Sequence, residues 1–338
     1  MKVATIFEGG SAGISDVPDP KSVNNIAVVK VHVAPMCTEY KALVGNRTGN
    51  EFGHEAVGEV IEIARPGRVK VGDRVVVQPG APCGSCYICL GGDYIHCEYG
   101  LQGLPRNFKL NTSTMAQFLN KVDWLLTPIP DDMSLEHASM ACCGLGPTYG
   151  AVRRMNVNAY DSVLITGLGA VGLGGVINAT HLGAKVIGVD PNPYRAKLAL
   201  ELGASAVFDP DDDDILDKIK QETDGHRGVD KAMDCSGSSG AHRLMIDAVQ
   251  RRGEASFIGE GKDFPLFASS DMLRKGISLH GIWHYNLSDS LNIIKVIEQN
   301  SHKLDRFITH KFPMSQVQKA WELQATMKCG KVLLDPWS

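Results

Sequence analysis

Nine cysteines are spread unevenly along this 338-residue chain, and four of them lie within one short segment. The segment GAPCGSCYICLGGDYIHC contains Cys83, Cys86, Cys89 and Cys97. Four thiolates can complete a tetrahedron around zinc and leave no open position, which is typical of a structural site. An odd number of cysteines in uneven clusters also argues against a disulfide framework. The spacing therefore predicts a structural zinc site.

Three further potential metal ligands are scattered along the chain: Cys37, His54 in a Gly-His-Glu triplet, and Cys143. A catalytic zinc takes three protein ligands and leaves a fourth position for water or substrate, and a Cys, His, Cys set is one known combination. Because Cys142 stands beside Cys143, the spacing alone leaves the third ligand open. These residues are candidates for a second, open zinc site.

A glycine-rich turn follows the β-type run SVLIT. In VLITGLGAVGLGG, the residues Gly167, Gly169 and Gly172 form the GxGxxG pattern. The first glycine permits a tight turn, the second lets the backbone reach a pyrophosphate, and the third lets helix and strand pack closely. The helix that follows, with Ala170 and Val171 in its first turn, would offer unpaired N–H groups to the phosphates. The pattern predicts a dinucleotide site.

An acidic residue supports this interpretation. Asp190 ends the next strand, KVIGVD, at about the twenty-residue separation expected for the acid that binds the adenosine ribose. A carboxylate there repels a ribose phosphate, so the sequence favours NAD over NADP. Arg195 lies close enough in sequence to weaken that preference.

The elements that must position these residues change character along the chain. The first third reads as short β runs, such as residues 26–33 and 73–78, broken by glycine and proline as in a partly open barrel. From about Tyr160, strands and helices alternate, which predicts a doubly wound parallel sheet. The tail reads as one helix and a closing strand.

The order of these features resembles the zinc-dependent alcohol dehydrogenase branch of the medium-chain dehydrogenase/reductase superfamily. The segments FITHKFP and CGKV near the C-terminus resemble it too, so the likeness covers essentially the whole chain. It implies an α/β protein in which a GroES-like β-barrel catalytic domain, at 1–144 and 286–338, is interrupted by a doubly wound parallel Rossmann coenzyme-binding domain at 145–285.

The resemblance also implies roles for single residues. Cys37, His54 and Cys143 match the catalytic zinc ligands. Cys143 is preferred to Cys142 because it stands six residues before Tyr149, as the family's ligand stands before its tyrosine. Glu55 matches the acid beside the ligand histidine, which either hydrogen-bonds nearby or transiently approaches the metal.

One segment departs from the family pattern. The family usually reads Cys-Gly-Ser/Thr-Asp-x-His at the first ligand, whereas this chain reads Cys37-Thr38-Glu39-Tyr40-Lys41. A one-residue deletion would make Thr38 the hydroxyl of a proton relay, Glu39 the acid and Lys41 the distal base. Thr38 as an ordinary turn residue is the alternative.

The function that follows is hydride transfer between an alcohol or carbonyl substrate and NAD(H), with two zinc ions per chain, one catalytic and one structural. A polyol or sugar dehydrogenase of the sorbitol type is an alternative, which Cys143 disfavours because several such enzymes use a glutamate as third ligand. A non-catalytic dinucleotide-binding sensor is a second alternative, and retention of all three ligand types argues against it.

Bulk composition narrows the partners. With 43% hydrophobic and 21% charged residues and a net charge of −4, the chain has a globular composition and no basic field for nucleic acid. No apolar run approaches the roughly 20 residues of a membrane span, and the start is unlike a signal peptide. We expect a cytoplasmic protein with no membrane partner. Relatives on this scaffold are usually dimers or tetramers, so the resemblance implies a homodimer or homotetramer.

Overall fold

The computed structural model describes residues 1–338. Its strands are β1 (Lys2–Ile6), β2 (Ala12–Asp16), β3 (Ile26–Pro35), β4 (Ala56–Ile63), β5 (Arg74–Val77), β6 (Phe118–Val122), β7 (Leu126–Pro128), β8 (Ser162–Thr166), β9 (Lys185–Val189), β10 (Ala206–Phe208), β11 (Val229–Asp234), β12 (Val249–Phe257), β13 (Ser278–Gly281), β14 (Ile308–Pro313) and β15 (Lys331–Asp335). Its helices are α1 (Tyr40–Val44), α2 (Tyr87–Leu90), α3 (Leu135–Ala138), α4 (Gly146–Arg154), α5 (Ala170–His181), α6 (Pro193–Leu202), α7 (Ile215–Gln221), α8 (Ser239–Ala248), α9 (Ser290–Gln299), α10 (Ser301–Phe307) and α11 (Val317–Ala325).

The chain divides into two compact units. The first comprises Met1–Cys143, Asn286–Ser301 and Ile308–Ser338, and the second comprises Gly144–Tyr285 and His302–Phe307. The second unit thus includes six residues of α10 for which the family resemblance predicts a place in the catalytic domain. Lys303 in this helix donates a hydrogen bond to Thr180 Oγ1 at 2.7 Å, which attaches the helix to α5.

The first unit is built on a seven-stranded sheet. Its strands run in the order β14-β15-β3-β4-β5-β7, with β6 paired to β3, and β1 and β2 form a separate antiparallel pair. Apart from the parallel β14–β15 pair, the neighbouring strands are antiparallel. The alternating valines of β3 bury one face of this sheet, and Trp321 packs edge-on against Phe52 with ring centroids 5.3 Å apart.

The second unit contains six parallel strands in the order β10-β9-β8-β11-β12-β13. Numbered within the unit, this is the order 3-2-1-4-5-6 of a doubly wound dinucleotide-binding sheet, as the sequence predicts. All five residues of β8 are buried, which explains the apolar run Val-Leu-Ile at its centre. The order reverses between β8 and β11, and ligands bind in the crevice at that point.

No helix of the protein combines the length with the apolar character needed to cross a bilayer.

Candidate metal and coenzyme sites

Four potential metal ligands meet in the first unit. The ligand atoms of Cys37, His54, Glu55 and Cys143 all lie within 4.8 Å of one another, and His54 Nε2 is 3.2 Å from Cys143 Sγ. Cys37 follows the end of β3, and the His54-Glu55 pair directly precedes β4. Because β3 and β4 are antiparallel neighbours, the end of one strand lies beside the start of the other. The structure therefore brings together the three scattered ligands that the sequence singled out.

The carboxylate of Glu39 orients two of these groups. Its Oε1 lies 3.0 Å from Nδ1 of His54, and its Oε2 accepts a hydrogen bond from the backbone N–H of Cys37 at 2.8 Å. With Nδ1 engaged by Glu39, the other ring nitrogen, Nε2, is directed toward Cys143. A carboxylate that holds the second nitrogen of a histidine in this way is the usual support of a metal-binding imidazole.

Hydrogen bonding inside the cluster favours the thiolate of Cys37. The hydrogen bond with the Cys143 thiol holds the pKa of Cys37 well below its ordinary range. Burial opposes a charged imidazole, but hydrogen bonds with Cys37 and Glu39 outweigh it and raise the pKa of His54 to about 11. The thiolate is the form of cysteine that binds metal, and metal binding releases the protons that the free ligands carry.

A buried ion pair lies against the cluster. Lys331 Nζ donates to Glu55 Oε1 at 2.7 Å, and both side chains are 0% exposed. Glu55 Oε2 accepts a hydrogen bond from the backbone N–H of Cys143 at 3.0 Å. Burial raises the pKa of Glu55 to about 7 although the charge of Lys331 opposes the rise. Burial alone would lower the pKa of Lys331, but the negative charges of Glu55 and Cys37 outweigh it and raise this pKa.

The four clustered cysteines also converge. The sulfur atoms of Cys83, Cys86, Cys89 and Cys97 all lie within 4.8 Å of one another. Backbone N–H groups of Ser85 and Cys86 point at the sulfur of Cys83 from 3.5 and 3.4 Å and lower the pKa of Cys83 to about 6. Gly84, which lies between Cys83 and Ser85, makes the turn with φ of +76°. Amide donors aimed at sulfur stabilise the thiolates that a closed zinc site requires.

The glycine-rich turn connects β8 to α5 in the second unit. Gly167 has φ of +83°, which favours glycine, and α5 begins at Ala170. A Cβ atom on Gly172 would lie 1.9 Å from the carbonyl oxygen of Gly167, so no side chain fits there. Gly169 caps the helix, and its neighbours Ala170 and Val171 form the first turn. The free N–H groups of this helix end face the carboxyl end of the parallel sheet.

Asp190 and Arg195 both lie at this turn. Asp190 directly follows β9, and its carboxylate accepts hydrogen bonds from the N–H groups of Leu168 at 2.6 Å and Asn192 at 2.8 Å. A Cβ atom on Gly169 would lie 3.9 Å from Cζ of Arg195, and the Nε atom of Arg195 is buried without a hydrogen-bond partner. A carboxylate and a guanidinium therefore flank the same glycine loop.

Two protein families match successive parts of the chain. The alcohol dehydrogenase GroES-like domain family matches residues 24–131, and the zinc-binding dehydrogenase family matches residues 170–299. The chain is 31% identical over 298 residues to the uncharacterized zinc-type alcohol dehydrogenase-like protein YphC of Escherichia coli, covering 84% of this chain and 80% of that protein. It is 30% identical over 331 residues to the L-threonine 3-dehydrogenase of Caldanaerobacter subterraneus subsp. tengcongensis, covering 94% and 93%.

The chain belongs to the zinc-dependent alcohol dehydrogenase branch of the medium-chain dehydrogenase/reductase superfamily. The alcohol dehydrogenase TADH from Thermus sp. ATN1 has the same fold, with a TM-score of 0.88 and 24% identity over 99% of both chains. The predicted GroES-like barrel and Rossmann sheet are thereby confirmed. This dehydrogenase transfers a hydride between an alcohol or carbonyl substrate and NAD(H).

The cofactors of the dehydrogenase are zinc, at two ions per chain, and NAD. The donor chemistry of the protein fits both. One cluster offers four sulfurs, and the other offers two sulfurs and an imidazole with a carboxylate close by, so each suits a metal that prefers sulfur and nitrogen. The glycine cradle excludes side chains where a dinucleotide backbone must approach.

The two residues expected in a proton relay, Thr38 and Lys41, are both exposed to solvent. Thr38 follows Cys37 directly, and its carbonyl oxygen accepts a hydrogen bond from the N–H of Lys41 at 3.0 Å, at the start of α1. Both residues therefore belong to the turn that follows the first ligand, with their side chains open to solvent.

Two residues that contact the open cluster have no recognised role in the sequence. Lys331 pairs with Glu55, and Gln324 in α11 donates to the carbonyl oxygen of Cys37 at 3.0 Å. The sequence signal for Lys331 is the segment CGKV, which supports the family resemblance but indicates no role for the lysine. Because β15 pairs with the end of β3, with Leu333 opposite Pro35, the first residue of that last strand comes close to the ligand after β3.

Proposed function

We propose that Cys37, His54 and Cys143 hold the catalytic zinc of this dehydrogenase. The observation that carries the proposal is the convergence of two sulfurs and an imidazole nitrogen within 4.8 Å, with the imidazole oriented by Glu39. Three protein ligands leave the open position that a substrate oxygen needs. Glu55 positions Cys143 by accepting a hydrogen bond from its backbone N–H.

The four-cysteine lobe holds the structural zinc in this proposal. Its ligands are Cys83, Cys86, Cys89 and Cys97. The coenzyme site lies in the second unit and uses Gly167, Gly169, Ala170, Val171, Gly172, Asp190 and Arg195. We assign the first unit as the catalytic domain and the second as the coenzyme-binding domain.

In the mechanism, zinc supplies a Lewis acid that lowers the proton affinity of the alcohol oxygen, and NAD supplies the hydride acceptor. Glu39 fixes the ring of His54 so that Nε2 stays directed to the ligand cluster. Gln324 and Glu39 hold the backbone on both sides of Cys37. These contacts preorganise the donors, which is what an open metal site requires of its protein.

The alcohol proton leaves through Thr38 and Lys41. Thr38→Val should lower turnover by about 10²-fold, because a positioned proton-transfer group contributes at least that much, and should leave zinc content unchanged. Lys41→Met should lower turnover by only a few fold and displace the pH profile. Steady-state kinetics across pH, combined with zinc analysis, measure both effects.

Thr48→Val is the matched control, since Thr48 is an exposed threonine in the loop that follows α1. Native turnover in Thr48→Val and reduced turnover in Thr38→Val support the relay. Native turnover in Thr38→Val would move the proton path elsewhere, with Glu39 the next candidate.

Asp190 accounts for the preference for NAD. Asp190→Ser should raise the KM for NAD about tenfold and narrow the gap to NADP, because it removes a charged hydrogen-bond acceptor and a repelling charge. Asp209→Ser, at the exposed end of the next strand, is the control and should leave both KM values unchanged. A native enzyme that already prefers NADP would contradict the assignment.

The protein assembles as a homodimer or homotetramer through the β13 edge. β13 pairs only with β12, so its outer edge carries unpaired N–H and C=O groups. Exposed apolar side chains occur nearby in sequence, with Leu273 80%, Phe267 59% and Trp283 58% exposed. Sedimentation should show an oligomer that Phe267→Asp weakens and that Tyr160→Asp, at a 97% exposed position of the same unit, does not. A monomeric native protein would refute this assembly.

The cytoplasm is the proposed location. Six of the nine cysteines belong to the two ligand clusters. Zinc binding needs these residues as reduced thiolates, which a reducing compartment maintains.

A substrate screen tests the function. The protein is incubated with NAD and a panel of primary alcohols, secondary alcohols, polyols and L-threonine, and absorbance of the reduced coenzyme is followed. Turnover of at least one alcohol, lost after chelation and restored by zinc, is the expected result. Turnover that survives complete removal of zinc would contradict the proposed site.

A further inference from the structure

Lys331 is a charged side chain that the mechanism above leaves without a role. It is 0% exposed, lies at the start of β15, and its ammonium nitrogen is 2.7 Å from Glu55 Oε1. Taking an ammonium and a carboxylate out of water costs free energy for each ion. The presence of this buried pair therefore suggests that it has a function. The neighbouring groups that this function would affect are the proposed metal ligands, because Glu55 lies among them.

Glu55 is a potential fourth protein ligand. Its oxygen belongs to the same cluster as the donor atoms of Cys37, His54 and Cys143. Two donors bound to one tetrahedral zinc at 2.0–2.1 Å are about 3.4 Å apart. Glu55 Oε1 is 4.0 Å from His54 Nε2, so it lies near the coordination sphere and slightly outside it.

Hydrogen bonds to both oxygens hold the Glu55 carboxylate in this position outside the coordination sphere. Lys331 donates a hydrogen bond to Oε1, and the backbone N–H of Cys143 donates one to Oε2 at 3.0 Å. The oxygen nearer to His54 is the one that faces the ammonium. A turn of the carboxylate toward the ligands would leave the buried charge of Lys331 without its partner, which is strongly unfavourable.

We propose that Lys331 is a positioning residue that holds Glu55 off the catalytic metal and so keeps one coordination position open for the substrate. The inference rests on the proposed zinc site at Cys37, His54 and Cys143. Without the ammonium, the buried carboxylate loses its counter-charge, and the metal becomes the nearest positive charge. Glu55 then binds as a fourth protein ligand and closes the site.

The test uses the full-length protein with cobalt(II) in place of zinc and imidazole as the probe ligand. Cobalt reports its coordination by visible absorption, and only the open site responds to imidazole, because the four-cysteine site has no free position. The variants are Lys331→Met, Lys331→Arg and Lys331→Met combined with Glu55→Gln. No coenzyme or substrate is present, so the readout is independent of turnover.

The affinity for imidazole should fall at least about tenfold in Lys331→Met and stay within about threefold of native in Lys331→Arg and in the double variant. Near-native affinity in Lys331→Met would overturn the inference and leave the zinc site standing. A native protein whose spectrum does not respond to imidazole would instead overturn the open site itself, and with it this inference.

X-ray absorption at the zinc edge gives a second test if Lys331→Met does not fold. The native protein and Glu55→Gln should show the same number and distance of light-atom ligands, because Glu55 is held off the metal in the native state. Loss of an oxygen ligand in Glu55→Gln would show that Lys331 does not keep Glu55 away.

Discussion

Replacing Cys143 by alanine is expected to remove one of the two zinc ions per chain and to lower turnover about 10³-fold or more. Its sulfur lies 3.2 Å from His54 Nε2 in the open cluster. Metal activation contributes several kcal/mol to the transition state, and each 1.36 kcal/mol corresponds to tenfold in rate. Elemental analysis and NADH formation measure the two effects, and circular dichroism should show an unchanged fold.

The neighbouring residue provides the control. Cys142 is buried, and its thiol lies 3.4 Å from the carbonyl oxygen of Val77, outside the donor cluster. Cys142→Ala should therefore keep both zinc ions and most of the activity. If Cys142→Ala loses zinc and Cys143→Ala does not, the third ligand has been assigned to the wrong cysteine.

Replacing Cys89 by serine is expected to remove the other zinc and to destabilise the protein. Binding free energy at a structural zinc site is folding free energy. Loss of a metal belongs to the mechanisms that exceed about 4 kcal/mol, which corresponds to a melting temperature lowered by about 10 °C. Thermal unfolding followed by circular dichroism, together with zinc analysis, gives both quantities.

Cys329→Ala is the matched control for Cys89→Ser. Cys329 is a buried cysteine of the first unit that belongs to neither ligand cluster. It should keep two zinc ions per chain and lose less stability than Cys89→Ser. Equal zinc content in native protein and Cys89→Ser would argue against a structural metal in the cysteine lobe.

Local features of the site were predictable from the sequence. Cys83 and Cys97 are only 14 residues apart, so their spacing alone indicated a closed site. The GxGxxG pattern follows β8 directly, and the alternation of strands and helices after Tyr160 indicated the parallel sheet. The cysteine cluster and the glycine pattern are each contained in one short segment, and the alternation can be read directly along the sequence.

Contacts between distant segments were not predictable. Lys331 and Glu55 are 276 residues apart, and only the pairing of β15 with β3 brings the last strand to the ligand cluster. The separation of Gln324 from Cys37 is similar, at 287 residues. No periodicity or spacing encodes such a contact, because it depends on strand order and on which side chains the core leaves room for.

The assignment of Glu39 lies between these cases. The one-residue-deletion alignment placed an acid there, and its contacts with His54 and Cys37 are those expected of a supporting carboxylate. The same alignment gives Thr38 and Lys41 their relay roles, which remain predictions for the kinetic experiments above.

Zinc-edge anomalous scattering from crystals of the native protein tests the central claim most directly. The account predicts two peaks per chain, one among Cys37, His54 and Cys143 and one among the four sulfurs of the cysteine lobe. A peak in the lobe alone, in protein that still oxidises alcohols with NAD, would contradict it.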